Sequence, residues 1–353
     1  MKKVLLKIFL WINLLSAVFL LVSYLSVYVP SDSIWISSVF GLLYPVFLWI
    51  NVGFVFFWSF FKPKYLIVSL LVILFGWGYI KKYVQLGGKV NDLEGIEVVS
   101  YNVRHFEELG NDVAKQTADS IIAFFLQKTP DIICLQEARL RTNQIFNLPK
   151  LVNEFEFINH YQYARNGYSR GMVTMTRYPI INMGEIRFAN SGNMAIFTDV
   201  VIDSDTMRIF NLHLQSFQIS PDEYSVLESR SLNESSDIKE VKEMGGKFKR
   251  ALIKRAEQAR IIRENINWSP YPVLVCGDFN DTPFSYTYHK VKGDLKDAFV
   301  ESGSGTGQTY VGKLPSYRID FILHSQDYNS FNFKEENIHY SDHLPVSCIL
   351  EKK

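Results

Sequence analysis

Two long uncharged runs near the N-terminus constrain this chain more than any other feature. Ile8–Val29 and Ile34–Phe61 hold 22 and 28 residues without a formal charge, and about 20 apolar residues are enough to cross the hydrocarbon of a bilayer. A third run, Tyr65–Ile80, has 16. At ~1.5 Å of rise per residue it is short for a crossing, although Lys81 and Lys82 can snorkel past its end. A secretory signal peptide does not suit the first run, which is too long and lacks a small-residue cleavage site before the second. The expectation for residues 1–90 is a transmembrane region of about three helices, 8–29, 34–61 and 65–80. No charge lies inside these runs, so they offer a transported solute no pathway.

Basic residues set the orientation. Lys2, Lys3 and Lys7 precede or open the first run, Lys62 and Lys64 separate the second from the third, and Asp32 is the only charge between the first two. The positive-inside rule puts the N-terminus and the second loop in the cytoplasm. Three crossings then place the rest of the chain on the extracytoplasmic side of the cell (inner) membrane. If Tyr65–Ile80 only lies in the interface, the remainder stays cytoplasmic.

The remainder, residues 94–353, is long enough for one large layered domain. Short apolar runs bounded by turn residues read as strands at Ile96–Tyr101, Ile132–Leu135, Met172–Thr176, Ala195–Ile202, Met207–Leu212, Pro272–Cys276, Ile319–Leu323 and Val346–Leu350. Ala114–Gln127 and Phe248–Ile266 have helical spacing, the second with Leu252, Ala256 and Ile262 available for packing. Strands in two runs with helices between them suggest packed sheets with helices outside. Ser216–Gly246 is polar and serine-rich and reads as a long mobile insertion. Cys134, Cys276 and Cys348 each sit inside an apolar run, which suits small buried core residues rather than a disulfide framework or a zinc site.

Polar chemistry gathers where these strands end. The run Pro272–Cys276 stops in Gly277-Asp278-Phe279-Asn280-Asp281, and carboxylate and amide two residues apart can share one phosphate or water. Asn102, Gln136-Glu137, Asn211-Leu212-His213, Arg318-Ile319-Asp320 and Ser341-Asp342-His343 occupy the ends of other strands. Loops beyond strand ends are where layered α/β folds bind ligands. An oxygen-rich set without a serine or cysteine nucleophile suits a hard cation such as Mg²⁺, with the histidines stabilising charge on a phosphate.

Taken in order, Ser100-Tyr101-Asn102, Leu135-Gln136-Glu137, Asn211-Leu212-His213-Leu214, Gly277-Asp278-Phe279-Asn280, Arg318-Ile319-Asp320-Phe321 and Ser341-Asp342-His343 resemble the endonuclease/exonuclease/phosphatase (DNase I-like) superfamily of metal-dependent phosphoesterases. The resemblance covers nearly all of residues 94–353 and suggests a membrane-anchored, bacterial-type member. It implies a four-layered α/β sandwich, two packed mixed sheets flanked by helices, with the site at one end of both. It implies that Glu137 is the principal Mg²⁺ ligand (Mn²⁺ is the other candidate), with Asn102 and Asp342 near it. Asp278 is implied to orient or deprotonate the attacking water, and Asn280 to hold that water or the phosphate. His213 and His343 are implied to contact phosphate oxygens, and Asp320 to orient His343. No family role attaches to Asp281 or Arg104.

Each residue also has a plainer reading. Asn102 suits a turn, Glu137 an exposed charge or helix start, and His213 between two leucines a satisfied core histidine. Arg318 suits a structural ion pair, and Asp281 or Thr282 an N-cap ahead of Pro283. Six such coincidences in family order are harder to accept than one. The implied activity is hydrolysis of a phosphodiester or phosphomonoester. The alternative is an inactive, membrane-anchored binding or signalling protein on the same fold. A net charge of +1 carries no basic footprint of the kind nucleic-acid binders show, while membrane tethering favours lipid head groups, exported nucleotides or nucleic acid as substrate. Phe217, Tyr224, Tyr286, Tyr288 and Tyr310 are aromatic candidates for a groove. Apart from the bilayer and a phosphate ester, no protein partner is expected.

Overall fold

The structure, a computed structural model, describes residues 2–90, 94–104, 110–138, 152–166, 170–217, 235–312 and 317–353. Its N-terminal region is helical: α1 (Lys2–Leu25), α2 (Trp35–Leu42), α3 (Tyr44–Phe61), α4 (Leu66–Phe75) and α5 (Trp77–Tyr83). Two stretches, Lys3–Leu25 and Tyr44–Phe61, are long and apolar enough to cross a membrane. Pro63–Phe75 and Trp77–Tyr83 together make a third if the 66° bend between them belongs to one span.

The run 34–61 is therefore not one helix. It breaks at Leu43 because Pro45, in the first turn of α3, has no N–H to continue a ladder from α2. The third run bends at Gly76, where a Cβ would lie 2.1 Å from the Tyr24 hydroxyl, so only glycine lets the α1 ring in. Polar side chains tie the bundle together away from water. Asn51 Nδ2 donates to Ser16 Oγ at 2.8 Å, Ser69 Oγ to Asn51 Oδ1 at 2.8 Å, and Trp58 Nε1 to Asn13 Oδ1 at 2.9 Å. Such bonds between apolar helices act as glue where hydrocarbon offers no competing partner.

The rest of the described chain contains twelve strands and four helices. The strands are β1 (Ile96–Asn102), β2 (Ile132–Gln136), β3 (His160–Asn166), β4 (Arg170–Thr176), β5 (Ile180–Arg187), β6 (Met194–Ile202), β7 (Asp205–His213), β8 (Val273–Asp278), β9 (Lys296–Asp297), β10 (Asp320–His324), β11 (Tyr328–Glu335) and β12 (Val346–Lys352). The helices are α6 (Gly110–Lys128), α7 (Ser235–Asn267), α8 (Tyr286–Lys292) and α9 (Ala298–Ser302). The strands form two mixed six-stranded sheets, ordered β11-β12-β1-β2-β4-β3 and β5-β6-β7-β8-β10-β9.

Three apolar layers hold this stack together. Val98, Ile132, Cys134, Ile209, Cys276, Ile322 and Cys348 pack between the sheets. Val99, Tyr101, Ile133 and Met175 of the first sheet meet Ile121 and Phe125 of α6. Phe210, Val275 and Phe321 of the second meet Ala259 and Ile262 of α7 and Tyr288 of α8. The result is the expected four-layered sandwich, and all three cysteines are free and buried in it.

All eight expected strands are present. The four that sequence reading missed, β3, β5, β9 and β11, are the four sheet edges. Edge strands face water on one flank and lack the continuous apolar run that marks a central strand. The expected insertion Ser216–Gly246 is corrected at its end, because residues 235–246 are the first turns of the 33-residue α7 and Met244 is buried. Residues 218–234 of that stretch, Tyr224 among them, lie outside the described residues.

The helical region docks on the sandwich through one seam. The Tyr44 and Phe284 rings stack at 3.9 Å, Ser26 Oγ donates to the Phe284 carbonyl at 2.7 Å, and Arg260 of α7 pairs with Asp32 at 2.6 Å. The end of α1, the start of α3 and the end of α5 thus meet the sandwich. The start of α1 and the end of α3 lie together at the far end, where Phe9 stacks on Phe57.

Candidate active site

Topology explains why six sequence motifs converge. β1 and β2 run parallel, as do β7 and β8, and Asn102↔Gln136 and His213↔Asp278 are register partners. Their C-terminal ends share one edge of the sandwich. β10 runs antiparallel to β8 with Asp320 opposite Asp278, and β12 runs antiparallel to β1, so the residues that begin those strands reach the same edge.

Below this edge the sheets are cross-linked by buried amides. Gln136 Nε2 donates to Asn211 Oδ1 at 2.8 Å and to Ser100 Oγ at 3.2 Å, and Asn211 Nδ2 to the Val173 carbonyl at 2.8 Å. These motif positions are structural: they fix the spacing of the two sheets under the site.

One carboxylate oxygen is the centre of the site. Asp278 Oδ2 accepts from Asn102 Nδ2 and from Asn280 Nδ2, both at 3.0 Å, with His213 Nε2 and His343 Nε2 each 3.8 Å away. The other oxygen, Oδ1, accepts from the Asn280 backbone N–H at 2.7 Å. His343 Nδ1 lies 2.9 Å from Asp320 Oδ2, which fixes its ring and turns Nε2 toward Asp278. His213 Nε2 lies 3.3 Å from Glu137 Oε1. The structure therefore brings Asn102, Glu137, His213, Asp278, Asn280, Asp320 and His343 together. Asp342 stands at the rim, 3.8 Å from Arg104 Nε and 3.4 Å from Ser341 Oγ.

The backbone around them is held in unusual conformations. Glu137 (φ 55°), Asn280 (φ 51°) and Arg104 (φ 41°) adopt left-handed conformations that non-glycine residues seldom take. Such strain gathers where a side chain must be aimed. Gly277 sits at φ 139°, and a Cβ there would lie 2.0 Å from the Leu212 carbonyl oxygen. Gly277 thus lets β8 lie against β7 immediately before Asp278.

Burial raises the Asp278 carboxyl to about 7 and the nearby Asp320 pushes the same way, against the His343 charge and the bonds from Asn280 and Asn102. Burial alone would lower His343, but the Asp320 and Asp278 carboxylates outweigh it and raise the imidazole to about 10. At neutral pH His343 is therefore an imidazolium, and Asp278 titrates where a general base is effective.

The residues suit a hard cation. Among the described residues, Asp278, Asp320 and His343 each bring one potential ligand atom within 4.8 Å of the others, all buried. Asp320 Oδ1 is buried without a hydrogen-bond partner, and burial holds the neighbouring Asp278 carboxyl high. This trio differs from the set expected to bind metal, Asn102, Glu137 and Asp342. His343 donates Nδ1–H to Asp320 and carries charge, which argues against imidazole ligation; the half-buried Glu137 across the site has no such obstacle.

Residues given no catalytic or metal role from the sequence complete the site. Thr309 Oγ1 accepts from the Asp320 N–H at 3.1 Å, and the Tyr310 ring meets His343 edge-on at 5.4 Å. Arg255 of α7 was overlooked despite a readable clue: it occupies the apolar stripe Leu252, Ala256, Ala259, Ile262. It is fully buried, pairs with Asp281 at 3.2 Å and donates to the Gln215 carbonyl at 2.8 Å. Asp281 is thus chiefly the partner of a buried guanidinium, beyond either role weighed for it. Arg318 is likewise structural, donating to both carboxylate oxygens of the buried Asp297 at 3.0 and 2.8 Å. Phe217 stacks on Phe248 at 4.6 Å, and Tyr288 is core.

Two mixed six-stranded sheets with carboxylates, amides and imidazoles at one end define the class of sandwich hydrolases that act on phosphate esters. The chain belongs to the Endonuclease/Exonuclease/phosphatase family, whose profile matches residues 99–343. Residues 6–83 match a profile described as a domain of unknown function (DUF8431). No curated protein matches the sequence.

Solved structures share the fold. An endonuclease/exonuclease/phosphatase from Beutenbergia cavernae has a TM-score of 0.52 at 15% identity, over 74% of this chain and 72% of that one. The human Nocturnin catalytic domain with bound sulfate has 0.52 at 17%, over 74% and 97%. D. rerio TDP2 complexed with a single-strand DNA product has 0.51 at 15%, over 74% and 100%.

Proposed function

We propose that the chain is a membrane-anchored, metal-dependent phosphoesterase that hydrolyses a phosphodiester or phosphomonoester by in-line attack of an activated water. The observation that carries this reading is the ring of two amides and two imidazoles around Asp278 Oδ2. A carboxylate so placed, with a pKa near neutrality, can take the proton of an attacking water. Asn280, locked by its own backbone bond to Asp278, holds that water or a phosphoryl oxygen. The His343 imidazolium presents Nε2 to the non-bridging oxygens, and its charge offsets the charge that grows there. Asp320 keeps the ring in that orientation, and His213 approaches from the neighbouring strand β7.

Mg²⁺ or Mn²⁺ held by Glu137, with Asn102 and Asp342 near it, would polarise the phosphoryl oxygens and neutralise their charge. Asp278 and Asp320 form a second oxygen-bearing seat at the same end. The intact residue set argues against the alternative, an inactive binding or signalling protein. The seam between helices and sandwich supports a catalytic domain on the side opposite Lys2, Lys3, Lys7, Lys62 and Lys64, extracytoplasmic if the third span crosses. A lipid head group and nucleic acid are both open as substrate, the latter because TDP2, of the same fold, was captured with a DNA product.

The purified full chain should hydrolyse bis(p-nitrophenyl) phosphate with Mg²⁺ present. His343→Ala should lower the rate roughly 10²–10³-fold. Equal rates for wild type and variant would sink this mechanism.

A further inference from the structure

The seam between helices and sandwich encloses a cavity of about 190 Å³, several times the ~30 Å³ share of one water in the liquid. Its walls include Pro45 of α3, Lys82 and Tyr83 of α5, Phe284 of the loop beyond Asn280, Gln308, and Arg318 two residues before Asp320. Nothing in the catalytic reading uses these side chains together.

Two observations point to an anionic occupant. Lys82 makes no ion pair among the described residues; its Nζ lies over the Tyr79 and Tyr288 rings, 5.0 and 5.9 Å from their centroids. Arg318, 4% exposed, backs the same wall: Asp297 holds its Nη1, and its Nη2 donates to the Lys82 carbonyl at 3.2 Å. Two cations share the cavity with one carboxylate, Asp297, set behind it. A partly buried lysine over aromatic rings, with no carboxylate paired to it among the described residues, suits an acceptor-rich anion.

The location narrows the ligand. α3 begins and α5 ends at this cavity, so it lies where those helices leave the bilayer, the depth of phospholipid head groups. Pro45, Tyr83 and Phe284 supply an apolar wall beside the cationic one. We propose that this cavity binds the phosphate-bearing head group of an anionic phospholipid and couples the bilayer to the loop that carries Asn280. Binding there depends on the membrane placement of α1–α5 and not on hydrolysis.

Calorimetric titration of the full chain in uncharged detergent with dihexanoyl phosphatidylglycerol, and separately with inorganic phosphate, tests the site. The short lipid should bind, and Lys82→Gln should weaken it about tenfold with the thermal midpoint unchanged. Glu137→Gln, at the proposed metal position, should bind the lipid like wild type, which separates this cavity from the catalytic centre. If Lys82→Gln does not fold, Gln308→Leu carries the same expectation. Unchanged affinity in the folded variant, or an equal loss in Glu137→Gln, would overturn the assignment. Inorganic phosphate binding as tightly as the lipid would assign the cavity to free phosphate and overturn the lipid reading.

Discussion

At Gly277 a single position decides whether the site exists. A Cβ on Gly277 would collide with the Leu212 carbonyl, and the φ of 139° is one that other residues rarely adopt. Gly277→Ala should therefore cost about 3 kcal/mol or more, read as a lowered denaturation midpoint, with activity lost in the folded fraction because β8 shifts off β7. A midpoint like that of wild type would show that the strands can part without penalty. Asn102, Glu137, His213, Asp278, Asn280, Asp320 and His343 were all legible in the sequence, since each lies at or just beyond a strand end and belongs to an ordered set of motifs. Thr309 was not, Tyr310 was read only as a groove aromatic, and Arg255 left a clue in its apolar stripe but none to its partner. Their roles are contacts across the fold, and no local pattern records that an arginine among leucines and alanines answers an aspartate 26 residues on.

At the scale of elements, α7 braces the site. Arg255 holds both Asp281 and the Gln215 carbonyl, so it fixes the chain on either side of the pocket. Arg255→Met would leave Asp281 buried without its partner, a loss of about 3–5 kcal/mol, measurable by urea denaturation; a loss under ~1 kcal/mol would mean that water replaces the guanidinium.

A second brace joins α9 to β10 and β11. Burial would raise the Glu301 carboxyl, but bonds from His324, Ser330 and Lys296 outweigh it and hold the group well below its ordinary 4.5. A lowered folded value means that stability is present above pH 4.5 and drains away as pH falls below it. Glu301→Gln should flatten the acid limb of the stability profile, and an unchanged limb would rule this pair out. The central strands and both long helices could be read from apolar runs. The four edge strands could not, because polar faces such as His160–Asn166 follow from solvent on one flank. The breaks at Leu43 and Gly76 were hidden because an uncharged run reports hydrophobicity, not continuity.

For the whole molecule, the question is how an apolar helical region and a sandwich of hydrolase fold work as one body. The ends of α1 and α5 and the start of α3 converge on Phe284, and Asp32 beyond α1 pairs with Arg260 of α7, so the helical region is held against the loop that follows Asn280. An alkaline phosphatase fusion after Lys89 should be active in cells if three spans cross; strong activity from a cytoplasmic reporter at the same place would put the sandwich on the other side. The central claim is that Asp278 activates water at a phosphate ester, and the rate of Mg²⁺-dependent bis(p-nitrophenyl) phosphate hydrolysis by the full chain, for wild type and Asp278→Asn, tests it most directly. The substitution keeps the shape but removes the base, and it turns one of the two accepting oxygens into an amide donor. The account predicts a fall of roughly 10²–10⁴-fold in rate with the fold intact; an Asp278→Asn rate within twofold of wild type would contradict it.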